Sequence, residues 1–482
     1  MDLEGKSPNS GKDIIMRRIS ADEQVFGTSA RKGELMKKDS ANSRAWAFEG
    51  PSIQIDPLFP YYQNRTEDSV AEEIQLSGYR TVHYFVVNET RINEKLIRCF
   101  HDRDIAVWAL VIGNGTFETS HLPSEWPAWK MGLLKELSDG FERFSPFSEA
   151  YVQWKKEAVS RMLQQYPFDG IEIAEPYFPE WDGIRRGVYG DIGPAAKQAF
   201  HEKYGLSIPE FANRFAANYY KKIPDVYAKW IEFRVDAVNA LIDEIINGSG
   251  GARAVRADIL AATWSLAVDG GAVSTLRLKE WQGLDAISMI EKVKPDLHVL
   301  QTHWPDWMKR NLKAEYAGTY ESFAAPIRAA FPGLPLGIQA DVGSKANMMK
   351  GRSWLNQFQN TVYDLGYHTW TAYEYHLGGY MYEEPPVPLT AVIQEEAEVV
   401  VSFSKRLDPG STGVIVAKAD GEGIPALESK VDGNRLWLRF RQLPDSRPFY
   451  IEFRDAKDTP TLWYVKGRKA NDVPRGTRFP VF

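Results

Sequence analysis

The sequence predicts a parallel (β/α)8 barrel followed by a small antiparallel β-sandwich. The chain has 482 residues, which is more than one ordinary hydrophobic core accommodates. Its middle part alternates short, apolar, β-branched runs with longer helical patterns, as parallel βα units do. Eight such runs occur, which is the number that a barrel requires. We therefore expect a polar, flexible segment at residues 1–44, a barrel at 45–387 and a β-domain at 388–482.

The predicted barrel strands are the apolar runs of this alternating region. The first of them is ambiguous, because residues 52–55 fit a strand as well as residues 45–48 do. A doubly wound open sheet also alternates in this way, but no Gly-x-Gly-x-x-Gly motif follows the first strand. The predicted strands span 45–48, 81–87, 105–112, 170–174, 259–264, 297–302, 336–340 and 369–373.

Helical periodicity is clearest at residues 151–166 and 227–246, where apolar side chains recur on one face. Two strand-to-helix connections are long, 113–150 and 176–225, and the second is predicted to contain helices at 194–204 and 209–220. Long ordered connections are usually functional walls or lids. Both follow the C-terminal ends of strands, which is the face where barrel enzymes place their active sites.

After about residue 388 the pattern changes to short strands, predicted at 413–417, 436–440, 449–453 and 461–465. A Val-Asp-Gly-Asn turn at 431–434 supports an antiparallel arrangement.

Composition narrows the classes of partner. The net charge of −6 argues against binding to a nucleic-acid backbone, since such proteins concentrate Lys and Arg on one face. No apolar run approaches the roughly 20 residues that span a bilayer, and no secretion signal precedes residue 45. We therefore expect no membrane partner and a cytoplasmic location, or secretion if a signal peptide has been removed. Oligomeric state is left open. Aromatic residues form 13% of the chain, and their faces suit sugar rings.

The segment Phe-Asp-Gly-Ile-Glu-Ile-Ala-Glu-Pro at 168–176 carries a family resemblance. It resembles the fourth barrel strand of many glycoside hydrolases, and Ala174-Glu175-Pro176 is similar to the Asn-Glu-Pro of clan A, whose Glu is the acid/base. The helix opening at Trp230 and the strand 260–264 resemble the glycosyl-hydrolase-like, family 10-like barrels. The resemblance covers roughly residues 45–385. It departs from clan A at Ala174, where clan A has Asn, and at Asp341, where clan A has a Glu nucleophile.

The resemblance implies an O-glycosyl hydrolase acting on an oligo- or polysaccharide, without a cofactor or a metal. Glycosidic cleavage needs one carboxylic acid to protonate the leaving oxygen and a second carboxylate to attack or to activate water. Glu175, Asp341 and Glu374 lie at the ends of three different predicted strands, so they are the catalytic candidates. Residues expected to bind the sugar are Glu172, Trp264, His303, Trp304, Trp370, Tyr373 and His376.

Two other functions remain open. A barrel sugar isomerase or epimerase would hold one divalent ion with Glu175, His303, Asp341 and Glu374. A non-catalytic carbohydrate-binding barrel would keep the pocket and lack one of the acids. The sequence does not identify the sugar, its anomer or linkage, endo or exo cleavage, or retention or inversion.

Overall fold

The computed structural model describes residues 50–179, 181–395, 397–411, 416–418 and 423–482, which belong to one compact unit, Lys38–Phe482. The predicted N-terminal segment 1–44 and the predicted strand 45–48 lie outside the described residues. In the described part of the chain, no helix is both long and apolar enough to cross a membrane.

Eight parallel strands close into a barrel in the order β1-β10-β9-β8-β7-β6-β3-β2, which confirms the predicted fold class. The first strand is the alternative at 52–55, extended to Gly50–Ile55, and it pairs with β2 and β10. The barrel strands are β1 (Gly50–Ile55), β2 (Thr81–Val86), β3 (Ala106–Ile112), β6 (Gly170–Ala174), β7 (Leu260–Ala267), β8 (Leu297–Thr302), β9 (Leu336–Asp341) and β10 (Thr369–Tyr373). The two-residue strands β4 (Gly115–Thr116) and β5 (Glu142–Arg143) pair within the connection after β3.

The barrel interior is filled by alternate residues of these strands, among them Trp108, Ala174, Trp264 and Val299. Gly170 is required here because a Cβ atom at this position would lie 2.3 Å from the ring of Trp108. The tight register between β3 and β6 therefore depends on a residue without a side chain.

Helices cover the outside of the barrel between successive strands. The helices predicted at 151–166 and 227–246 are present within Glu149–Gln165 and Pro224–Asn247, except that the first ends one residue early, at Gln165. The α-helices are α1 (Glu67–Leu76), α2 (Glu94–His101), α3 (Glu149–Gln165), α4 (Gly183–Arg186), α5 (Pro194–Tyr204), α6 (Pro224–Asn247), α7 (Ala252–Val255), α8 (Ser274–Gln282), α9 (Ala286–Val293), α10 (Trp304–Trp307), α11 (Glu321–Ala330), α12 (Arg352–Asp364) and α13 (Tyr380–Glu383). Short 3-10 helices lie at Trp126–Trp129, Tyr220–Lys222, Gly271–Val273, Ala314–Tyr320, Tyr375–Leu377 and Pro460–Leu462.

The long connection after β6 builds its own apolar cluster against α6. Its predicted helix at 194–204 is present as α5, but the predicted helix at 209–220 is wrong. Glu210 Oε1 accepts the N–H groups of Ala212 and Asn213 at 2.8 and 2.9 Å, and Asn213 Oδ1 accepts that of Phe215 at 3.0 Å. These side chains bind backbone donors that a helix would use, so the segment forms turns instead.

The C-terminal part is a sandwich of two four-stranded antiparallel sheets, β11-β12-β16-β15 and β14-β13-β17-β18. Side chains such as Val401, Leu436 and Ile451 form the core between the sheets. The predicted strand at 461–465 is wrong, because Pro460 opens a 3-10 helix there. Part of the predicted strand 413–417 lies outside the described residues. The strands are β11 (Pro388–Glu395), β12 (Glu398–Phe403), β13 (Val416–Lys418), β14 (Ile424–Pro425), β15 (Glu428–Asp432), β16 (Arg435–Arg439), β17 (Phe449–Glu452) and β18 (Arg478–Val481).

The sandwich is fixed to the start of the barrel by charged contacts. Arg435 forms ion pairs with Asp68 and Glu72 of α1 at 2.5 and 2.7 Å. The guanidinium of Arg406 donates to the backbone carbonyls of Gln63 and Asn64 in the connection after β1. The β-domain therefore holds the connection between β1 and α1 in place.

Candidate active site

A cavity of about 510 Å³ opens at the C-terminal mouth of the barrel, within the roughly 300–1,000 Å³ of typical ligand pockets. The two long connections predicted from sequence supply much of its wall. The connection after β3 contributes Phe117, Phe141 and Arg143, and that after β6 contributes Tyr177. Residues that follow β8 and β9 complete the lining.

Glu175 lies in this cavity, one residue beyond the end of β6. Its backbone φ is 50°, in the left-handed region, which costs a non-glycine residue on the order of 1–3 kcal/mol and is found preferentially at functional sites. Burial raises the pKa of its carboxyl group, while Gln301 and the Arg143 guanidinium oppose that shift. A carboxylic acid with a raised pKa stays protonated to higher pH, as a general acid requires.

The position of Glu175 follows from the residues around it. A Cβ atom on Gly113 would lie 2.9 Å from Ile173 Cγ2 and 2.9 Å from Pro176 Cα, so β3 can end close beside the segment that carries Glu175. Asn114 Nδ2 donates to the Tyr177 carbonyl at 2.7 Å. These contacts fix the backbone on both sides of the acid.

Three side chains that line the cavity have a buried polar atom without a partner in the described structure: Gln282 Oε1, Gln301 Oε1 and His303 Nε2. Gln301 Nε2 donates to Glu175 Oε1 at 3.3 Å, which orients the amide so that its oxygen stays free. Burial lowers the pKa of His303 to about 3, so the ring is neutral at physiological pH. Buried polar atoms are normally hydrogen-bonded, so these three atoms have unused hydrogen-bonding capacity next to the cavity.

Aromatic residues border the same cavity next to His303. Trp304 and Trp307 line it from α10, and the guanidinium of Arg186 lies 5.8 Å from the Trp304 ring centroid. His303 contacts Trp181 edge-on, with ring centroids 5.8 Å apart. His303 and Trp304 thus lie where the sequence placed them, at the end of β8 beside the acid.

Asp341 ends β9 and is buried, with its carboxylate turned toward its own connection. Oδ1 accepts the N–H groups of Gly343 and Ser344 at 3.1 and 3.0 Å, and Oδ2 accepts the Ser344 hydroxyl. Burial raises the pKa of Asp341, while these donors and Lys350 oppose the shift. The donors stabilise the ionised form, which is the form that a nucleophile or general base needs.

Tyr373 lies near the carboxylates at the mouth of the barrel. It pairs with Asp341 in the register of β10 and β9. Burial raises its pKa, and the charges of Asp56, Asp341 and Glu175 contribute in the same direction. Its hydroxyl group is therefore within electrostatic range of three carboxylates at the C-terminal ends of three strands.

Glu374, the third catalytic candidate, lies apart from the cavity. It is 0% exposed, it accepts the Tyr62 hydroxyl at 2.8 Å, and its carboxylate contacts the His376 ring. His376 is buried too and stacks on Tyr61, with centroids 5.5 Å apart. The structure places Glu374 and His376 in a packed network directly after β10, so it does not bring Glu374 together with Glu175.

Three other predicted binding residues lie in the barrel wall or interior. Glu172 is fully buried and accepts a hydrogen bond from Trp264 Nε1 at 2.9 Å, while His83 Nδ1 lies 2.7 Å from its other oxygen. Trp370 points outward and donates from Nε1 to Gln359 of α12 at 3.1 Å. Alternation along β10 explains this, since Tyr373 faces inward and Trp370, an odd number of residues away, faces the helices.

Sequence reasoning missed several residues at the site. Asp56 follows β1, and it was missed because a first strand at 45–48 does not end next to it. Gln301 occupies the last inward position of β8, where an amide among apolar residues is a recognisable signal. Arg143 lies in the connection after β3 and forms an ion pair with Asp139 at 2.7 Å. No pattern in the sequence of this connection predicts that Arg143 reaches the site.

The ligand set of a metal site is also not assembled. Among the described residues, no group of three or more His, Cys, Asp or Glu side chains is arranged to hold a metal ion. Of the four ligands that an isomerase would need, Glu374 is held in the separate network with His376.

The fold and the cavity define the chain as a (β/α)8 barrel with carboxylates at its C-terminal mouth. No protein-family model and no curated protein sequence matches it.

Similar solved structures include three glycoside hydrolases. The glycoside hydrolase domain of PgaB from Bordetella bronchiseptica is 14% identical, with a TM-score of 0.49 over 67% of this chain and 93% of that one. A β-galactosidase from Rahnella sp. R3 is 12% identical, with a TM-score of 0.47 over 68% of this chain and 50% of that one. The glycoside hydrolase domain of a PelA variant from Pseudomonas aeruginosa is 6% identical, with a TM-score of 0.37 over 67% and 94%.

Proposed function

We propose that this chain is a glycoside hydrolase that cleaves an oligo- or polysaccharide, with Glu175 as the general acid and Asp341 as the second carboxylate. The observation that carries the proposal is Glu175 itself. It combines a left-handed backbone, a raised pKa and a position in the cavity at the barrel mouth.

The proposed reaction divides the work between two strand ends. Glu175, protonated, donates its proton to the glycosidic oxygen as the bond to the anomeric carbon breaks. Asp341, ionised, attacks that carbon or removes a proton from the attacking water. Glu374 takes no direct part in this proposal, because Tyr62 and His376 engage its fully buried carboxylate. Asp341 is preferred because it pairs in register with Tyr373, whose pKa is raised by burial and also by the charges of both Asp341 and Glu175.

The cavity supports a polyhydroxylated substrate. Gln301 is partly exposed and carries an unpartnered amide oxygen beside Glu175, and amide oxygens accept hydrogen bonds from hydroxyl groups. The neutral His303 ring binds a hydroxyl group without bringing a charge into the cavity. Trp304 and Trp307 offer apolar faces to the C–H groups of a sugar ring. A sugar unit therefore finds both polar and apolar partners beside Glu175.

The proposal is tested by product release from a panel of substrates. Purified wild-type protein is incubated with aryl glycosides of different configuration and with mannan, β-glucan, galactan and hexosamine polymers, and new reducing ends are measured. Glu175→Gln is the test variant, and Glu202→Gln, on exposed α5, is the matched control. We expect release by wild type and control and its loss in Glu175→Gln. Binding of a polymer without any release would instead indicate a carbohydrate-binding barrel.

A further inference from the structure

The C-terminal β-domain reaches the mouth of the barrel through its segment 458–471. Asp458 pairs with Lys405 at 2.7 Å and accepts Asn471 Nδ2 at 2.8 Å. Asn471 Nδ2 also lies 3.2 Å from the Tyr382 carbonyl of α13. Trp463 is buried and packs edge-on against the Tyr382 ring at 5.2 Å. The segment is therefore fixed to the barrel by both polar and aromatic contacts.

Tyr464 follows this anchor and is 48% exposed. Its ring contacts Phe59 edge-on, with centroids 6.3 Å apart, and Phe59 in turn lies 4.7 Å from the buried ring of His376. The three rings form a row that leads from the packed residues behind β10 out to solvent. Phe59 and Tyr464 therefore present adjacent aromatic surface, with Tyr464 on a well-anchored segment, and aromatic rings suit the apolar faces of sugar rings.

The row lies on the same face of the barrel as Glu175. Phe59 comes shortly after the C-terminal end of β1, and β1 neighbours β10 in the closed barrel. Tyr373, at the end of β10, is influenced electrostatically by both Glu175 and Tyr464. In the circular strand order, β10 is four strands away from β6, which carries Glu175, and β1 is three strands away, so the row and Glu175 lie on different sides of the mouth.

We propose that Phe59 and Tyr464 form an aromatic platform that binds a sugar unit of the substrate chain remote from the cleaved bond. This inference rests on the proposed function and deepens it, since it assigns a chain long enough to cross the barrel mouth as the substrate. The β-domain then contributes directly to substrate binding. Short substrates occupy only the cavity around Glu175 and do not reach the platform.

The test variant is Tyr464→Ala, because replacing Phe59 would also uncover His376. Tyr450→Ala is the matched control, since Tyr450 lies in the same domain on β17 and is 41% exposed. Tyr464→Trp retains an aromatic face. Binding is measured by affinity electrophoresis in gels containing mannan, β-glucan, galactan or a hexosamine polymer, and turnover is measured on the aryl glycoside that the wild type cleaves fastest.

We expect Tyr464→Ala to weaken binding of the retained polymer by roughly three- to tenfold, as loss of one stacking contact would. Tyr450→Ala and Tyr464→Trp should bind like wild type, and all variants should cleave the aryl glycoside equally. Equal retardation of Tyr464→Ala and wild type would overturn the platform, and so would a wild type that no polymer retards. Failure of the proposed function gives a different result, because the wild type then releases no product from any aryl glycoside.

Discussion

Replacing Glu175 by Gln removes the proton while conserving the shape of the side chain. Gln301 Nε2, 3.3 Å from Glu175 Oε1, still finds an oxygen acceptor, so the fold and sugar binding should survive. Loss of general acid catalysis should lower kcat on a polysaccharide by roughly 10²–10⁴. At about 1.36 kcal/mol per factor of ten, this raises the barrier by about 2.7–5.4 kcal/mol. The dinitrophenolate of a dinitrophenyl glycoside departs without protonation, so cleavage of that substrate should be slowed much less.

The assay compares initial rates on both substrates at equal concentrations of folded protein, which near-ultraviolet circular dichroism verifies. A purely structural role for Glu175 would lower the melting temperature and leave the rate per folded molecule unchanged. Cleavage of polysaccharide by Glu175→Gln at a near wild-type rate would refute the assignment, and the acid would then have to be another carboxylate at the mouth, such as Asp56.

The remaining predictions concern the buried carboxylate, the pH profile and the packing of the barrel. Glu374→Gln should lower the free energy of unfolding by about 1–3 kcal/mol in urea titrations and keep kcat per folded molecule within about twofold; an inactive but equally stable variant would restore Glu374 as a catalytic residue. Because Glu175 acts protonated and its pKa is raised, kcat/KM should fall at high pH with an apparent pKa above the usual Glu value of about 4.3. This fall should be absent from the pH profile of Glu175→Gln; if it persists in the variant, it belongs to another group. Gly170→Ala should cost about 1–3 kcal/mol by overpacking against Trp108, measured by calorimetry, whereas Gly333→Ala, which meets nothing within 4 Å, should not; equal melting temperatures would contradict the packing argument.

The barrel was predictable because its strands are buried runs that alternate with amphipathic helices. The edge strands β11 and β15 of the β-domain were not, since almost all of their residues are partly or fully exposed and four of the five residues of β15 are polar. The segment 461–465 has the apolar composition of a strand, but Pro460 and the anchoring of Trp463 on Tyr382 give it another conformation.

The site was predictable where a residue's position alone determines its surroundings. Glu175 and Trp304 follow within two residues of the ends of β6 and β8, so the fold class places them at the mouth. The surroundings of Glu374 depend on Tyr62 and His376, and Tyr62 comes from a connection more than 300 residues earlier. No local pattern reports such a contact, and the same is true of Tyr464 beside Phe59.

The central claim is that the protein hydrolyses a glycosidic bond with the proton of Glu175. The most direct measurement is mass spectrometry of the products released from a polysaccharide in water enriched in oxygen-18, with early samples reduced by borohydride to prevent exchange. The account predicts one heavy oxygen atom at each new reducing end with the wild type and no such product with Glu175→Gln. Products that carry no heavy oxygen, or labelled products formed equally by the variant, would contradict it.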